Sequence, residues 1–141
     1  MISCTEFIMA YSELFKFLHE RHGHAAVVKF WEGISDEFLW NLRDLVKAKG
    51  IQGMKEYWGH TLTEEGADCK VEATEDTFTI HMHRCPSVGI LRRATHMQRY
   101  PDYCNHCDTL YRRIMEPLGF SYEIEYLDEQ AGHCRVTIRK R

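Results

Sequence analysis

Up to about residue 62 the apolar residues recur every three or four positions, and from Cys69 onward they alternate with polar ones. A chain that changes period in this way starts as packed helices and ends as a sheet. Phe7, Ile8, Tyr11, Leu14, Phe15 and Leu18 mark one face of a helix over residues 5–21, interrupted at His22-Gly23-His24. A longer helix over residues 24–48 turns Val27, Phe30, Trp31, Ile34, Phe38, Leu42 and Leu45 inward and ends at Gly50, a C′ glycine. A third, over 52–62, carries Met54, Tyr57 and Trp58, with Gly53 and Gly59 weakening it. The tryptophans Trp31, Trp40 and Trp58 read with Tyr57 as core.

Cys69, Val71 and Ala73 then form one strand face, and Phe78, Ile80 and Met82 another, joined by a turn at 74–77. The segment 84–101 is less regular and holds a short helix around Gly89 to His96. A helix over 102–116 stops at Pro117-Leu-Gly119. Phe120, Tyr122, Ile124 and Tyr126 make a third strand, and Cys134, Val136 and Ile138 a fourth. The expected architecture is α+β: a helical N-terminal half packed on a four-stranded antiparallel sheet with one further helix. It reads as a single domain, with residues 1–65 helical and 66–141 holding the sheet, helix and cysteine site.

Composition narrows the function classes. With 44% hydrophobic residues in 141, the chain has the material for a core and is not a disordered protein. A net charge of -3 argues against nucleic acid as the main partner, despite the basic Arg139-Lys-Arg141. No apolar run is long enough for a membrane span, and no basic region precedes the first apolar residues. The expectation is a cytoplasmic protein with reduced thiols, acting on or binding a small molecule, with a homodimer left open.

In that setting the cysteines carry most of the information. Cys104-x-x-Cys107 comes after Tyr100-Pro101-Asp102 and opens a helix, with Asp102 as expected N-cap. The two thiols point the same way, near a positive helix end that favours thiolate. Cys85 comes after a strand and Cys134 opens the last one, giving Cys85-x18-Cys104-x2-Cys107-x26-Cys134. These four read as a closed metal site, for zinc before an iron–sulfur cluster, with His106 or His133 able to replace one cysteine. Two other readings stay open: buried thiols acting as small hydrophobes, and a catalytic or redox pair, although no βαβ pattern surrounds it. Cys4 and Cys69 read as bystanders.

A four-thiolate ion has no open position and cannot activate water. Acid–base chemistry would then fall to residues outside it. His81 and His83 share the strand face opposite Ile80 and Met82, and with Asp108 they form the candidate catalytic set. Arg92 and Arg93 read as surface residues.

The second half resembles the L-2-amino-thiazoline-4-carboxylic acid hydrolase family. The resemblance lies in Arg84-Cys-Pro86, in Cys104-x-x-Cys107-Asp108 leading to Glu116-Pro-Leu-Gly-Phe120, and in Ala131-Gly-His-Cys134. It implies hydrolysis of a C–N bond, other than a peptide bond, in a small ring or amide. The order of elements is more remotely similar to the vinyl-4-reductase-like sensory domains. Their zinc site implies Cys85, Cys104 in the place of an acidic residue, Cys107 and Cys134 as ligands. Val136 stands where many members of the hydrolase family have an aromatic residue. The sensory resemblance implies a metal-stapled module that binds a small molecule without catalysis.

Overall fold

The computed structural model describes residues 4–141, with side chains from residue 6 onward, so the side chain of Cys4 lies outside the described residues. Helices α1 (Cys4–His22), α2 (His24–Glu37), α3 (Trp40–Lys49) and α4 (Ile51–Glu64) precede strands β1 (Asp68–Ala73) and β2 (Thr77–Arg84). Then come α5 (Pro86–Arg93), α6 (Asn105–Met115), a single 3-10 turn (Glu116–Leu118), and strands β3 (Phe120–Asp128) and β4 (His133–Lys140). The four strands are antiparallel in the order β1-β2-β4-β3. The fold is α+β, as the change of period requires, and the sheet half carries both α5 and α6.

Pairing puts Phe78, Ile80 and Met82 of β2 beside Ile138, Val136 and Cys134 of β4, and these beside Tyr122, Ile124 and Tyr126 of β3. That face is the one the helices cover. Trp58 of α4 stacks on Phe78 at 5.3 Å and meets Tyr111 of α6 edge-on. Helices α2 and α1 lie outside α6, where Trp31 and Phe15 pack edge to face at 5.3 Å. Each such buried aromatic contributes on the order of 1.5–3 kcal/mol. The buried polar groups Ser35 and Ser12 of this layer have partners. Ser35 donates to the Leu110 carbonyl at 2.8 Å, and Ser12 accepts from the Tyr100 amide at 2.9 Å.

Three expectations about the helical half are corrected. The helix expected over 24–48 breaks at Phe38-Leu39, where the amides of both residues reach back to the Ile34 carbonyl. The five-residue reach of Leu39 unwinds one step and rotates α3 relative to α2. Leu39, Leu42 and Val46 turn inward, while Phe38 is 72% and Trp40 56% exposed, so neither is core. On α1 the apolar arc is wider than the buried one: Phe15 is buried, but Phe7 and Leu14 face solvent. The helix expected over 52–62 is present, and Gly53 lets it lie against α3. A Cβ there would overlap the Leu45 carbonyl oxygen and sit 2.8 Å from the carbonyl carbon.

Among the described residues no helix is long and apolar enough to cross a membrane.

Candidate metal centre

Cys85 leaves the end of β2 and stands immediately before Pro86, the first residue of α5. Its position is set by the turn between β3 and β4. Gly132, at φ 69°, accepts a hydrogen bond from the Cys85 amide at 3.0 Å. A Cβ on Gly132 would lie 2.7 Å from Cys85 Cβ and 2.9 Å from Val88 Cβ. Only glycine satisfies both the left-handed backbone and the close approach.

Cys104 and Cys107 come from the start of α6. The helix begins at Asn105, so Cys104 itself is the N-cap, and Asp102 does not cap it by side chain. Asp102 instead bonds Asn105 and takes the His24 imidazole at 2.8 Å, joining the turn to α2. Tyr126 of β3 donates its hydroxyl to the Cys104 carbonyl at 3.0 Å, fixing this turn over the sheet. Cys134 sits in β4 on the helix-covered face, paired with Met82 on one side and Tyr126 on the other.

All four cysteines, Cys85, Cys104, Cys107 and Cys134, line one cavity of about 40 Å³. That volume holds about one water-sized occupant and no organic substrate. The thiols do not close on a common point. Among the described residues no three His, Cys, Asp or Glu side chains are placed to enclose an ion. None of the four is in a disulfide. The donor set itself fits zinc, which takes four thiolates tetrahedrally. Cys69, on β1, does not line the cavity.

The expected lowering of the thiol pKa by the helix end is overturned. Burial pushes Cys104, Cys107 and Cys134 each up to about 12, and raises Cys85 as well. The half-charge of a helix end is outweighed by loss of water around the sulfurs. Metal-free, the cavity holds neutral thiols, and a cation must displace their protons. The Arg99 guanidinium opposes the rise at Cys104. Arg99 is anchored to the Glu129 carbonyl at 3.0 Å. Arg84 turns away from the cavity and pairs with Asp68 at 2.8 Å.

His106 and His133 both reach the cavity wall. His106 bonds the Tyr103 carbonyl through Nδ1, which leaves Nε2 as acceptor, 3.6 Å from Cys107 Sγ. Burial holds its imidazole below the usual range. It is a proton acceptor beside one of the expected ligands. His133 turns its Nε2 to His81 instead.

The candidate catalytic set is divided by the sheet. His81 and His83 project from the face opposite Met82, their rings 4.7 Å apart. Asp108 lies on α6, on the other side, where it is held by Arg112 at 2.6 Å. Arg112 also donates to the Tyr122 carbonyl of β3 at 2.7 Å. On the outer face His83 pairs with Asp68 at 3.2 Å. Arg92 and Arg93 are exposed.

Sequence reasoning missed Gly132, Tyr126, Arg99 and Asp68. Gly132 had a signal, a glycine closing the turn before Cys134. The alternation shows Tyr126 only as a strand residue, because its hydroxyl partner is 22 positions away. No family model, no curated protein and no solved structure matches this chain.

Proposed function

We propose that the chain is a metal-stapled binding module in which Cys85, Cys104, Cys107 and Cys134 hold one zinc ion. The observation that carries this is the meeting of four cysteines, from the end of β2, the start of α6 and β4, at one cavity of about 40 Å³. The space suits an ion and is too small for a substrate. A tetrathiolate ion offers no open position, so its contribution is to join distant segments. The small-molecule ligand would then bind elsewhere. One open groove, of about 710 Å³, lies between α1 and residues 95–98.

The test is metal analysis of protein purified without added metal, then melting with and without a strong chelator. About one zinc per chain and a chelator-induced fall in melting temperature support the reading. Metal-free protein with an unchanged melting temperature ends it, and brown protein with charge-transfer absorption replaces zinc by an iron–sulfur cluster. A thermal-shift screen with amino-acid and aromatic compounds then tests for a ligand.

A hydrolytic reading is favoured by one observation, the carboxylate–imidazole pair of Asp68 and His83 at 3.2 Å, an arrangement that orients a base. It stands second because Asp108 is on the far side of the sheet and tied to Arg112. Turnover of the thiazoline acid by purified protein, lost in His83→Ala, would put it first.

A further inference from the structure

The four sulfurs of the cavity are not equivalent as pairs. Cys104 has helical backbone angles, φ -66° and ψ -27°, and α6 starts at the next residue. The Cys107 amide donates to the Cys104 carbonyl at 3.3 Å, so both cysteines belong to one turn. Residues three apart in such a turn have Cα atoms about 5 Å apart and side chains on one face. A disulfide needs Cα atoms roughly 4.4–6.8 Å apart. The Tyr126 hydroxyl, on the Cys104 carbonyl at 3.0 Å, holds this turn from outside the helix. The other two cysteines stand differently. Cys134 is opposite Met82 in the register, and Cys85 lies three positions past Met82, so those two are not cross-strand neighbours.

We propose that Cys104 and Cys107 are an oxidation site, closed to a disulfide by hydrogen peroxide. Both are free thiols, and both line the cavity. At about 40 Å³ it admits a molecule little larger than water, which is why the oxidant is a peroxide and not a bulky disulfide. One sulfur attacks the peroxide: an S–O bond forms, the O–O bond breaks, and water leaves with the thiol proton. The second sulfur attacks the resulting sulfenic acid: the S–S bond forms, the S–O bond breaks, and its proton leaves in a second water. Two thiols are oxidised by two electrons in all, and one peroxide is reduced to two waters. Closing the pair withdraws two of the four sulfurs. A tetrathiolate ion would lose half its ligands, and the end of β2, the start of α6 and β4 would lose their shared staple. That consequence rests on the metal reading above, whereas the disulfide itself does not.

The experiment treats the full chain with hydrogen peroxide, as purified and after a strong chelator. Remaining thiols are then blocked in denaturant, and the chain is cut with trypsin for mass mapping. Cleavage after arginine puts the pair on one peptide, Tyr100–Arg112, Cys85 on a second and Cys134 on a third. We expect the Tyr100–Arg112 peptide to lose about 2 Da, the two hydrogens of one disulfide, and to regain them with dithiothreitol. Cys85 and Cys134 should be recovered blocked. Where the purified chain carries zinc, its release should keep step with the disulfide. In zinc-free protein the mass change alone decides, so a failed metal reading and a failed oxidation site give different results. A first product that links Cys85 to Cys134 overturns the proposal. So does oxygen added to the pair without a disulfide, or a pair still reduced under conditions that oxidise free cysteine. The map uses the unaltered chain, so no outcome depends on whether a variant folds.

Discussion

Gly132 holds Cys85 in place by contact and by hydrogen bond at once. Its carbonyl accepts from the Cys85 amide at 3.0 Å, and its missing side chain is the space that Cys85 Cβ fills. Gly132→Ala must therefore strain the backbone at φ 69° and push Cys85 aside. The expected loss is about 2–4 kcal/mol in urea unfolding, combining a disfavoured left-handed φ with overpacking. Metal content should fall in the same variant. A loss below about 0.5 kcal/mol, the range of ordinary surface changes, would mean the turn has another conformation.

Cys104→Ser and Cys107→Ser should each lower the melting temperature well beyond Cys69→Ser. The first two line the cavity and the third does not. Metal-binding free energy is folding free energy in such sites. Comparable small shifts at all three positions, with unchanged zinc content, would sink the tetrathiolate centre.

Alkaline pH should weaken the metal-free protein. Burial raises Cys104, Cys107 and Cys134 from an ordinary 9.0 to about 12 in the native state. Native protein keeps protons that the unfolded chain has released, so stability falls as pH rises. The contribution is complete below about pH 9 and is lost on the way to about pH 12. Urea midpoints of chelator-treated protein from about pH 8.5 to about pH 11 should fall more steeply than those of a Cys104→Ala/Cys134→Ala variant. Equal slopes would show that the thiols ionise as in an open chain.

Gly53→Ala sets helix propensity against space. Alanine gains about 1 kcal/mol as a helix former, but its Cβ would overlap the Leu45 carbonyl oxygen. Net destabilisation of about 1–3 kcal/mol is expected from overpacking. A stabilised variant would mean that α3 and α4 stand further apart.

The break at residues 38–39 gives a paired test. Phe38→Ser should change stability by less than about 0.5 kcal/mol, while Leu42→Ala should cost about 2–5 kcal/mol. A continuous helix would make both costly.

The strand halves were legible because alternation fixes the faces. Met82 inward and His83 outward follow from a period of two. The placement of Cys85, Cys104, Cys107 and Cys134 around one cavity could be anticipated because each sits where a strand or helix starts or ends. The break at Phe38 was not legible, since no proline or glycine marks it and the backbone makes it by a five-residue reach. Asp108 had a visible partner, Arg112, four positions on, and that spacing favours a helix ion pair over an active-site base. The thiol pKa shifts were out of reach because their cause is burial contributed by distant strands.

The contact between Arg112 and β3 bears on how copies of this chain meet. Strands β3 and β1 are the outer members of the sheet. An outer strand invites a further strand from a neighbouring molecule. From α6, Arg112 donates to the Tyr122 carbonyl of β3 and brings a charged side chain onto that outer strand. At the opposite border β1 is six residues long and carries the charged pair Lys70 and Glu72. Charged side chains on both outer strands, as on many natural sheet edges, disfavour the addition of a further strand.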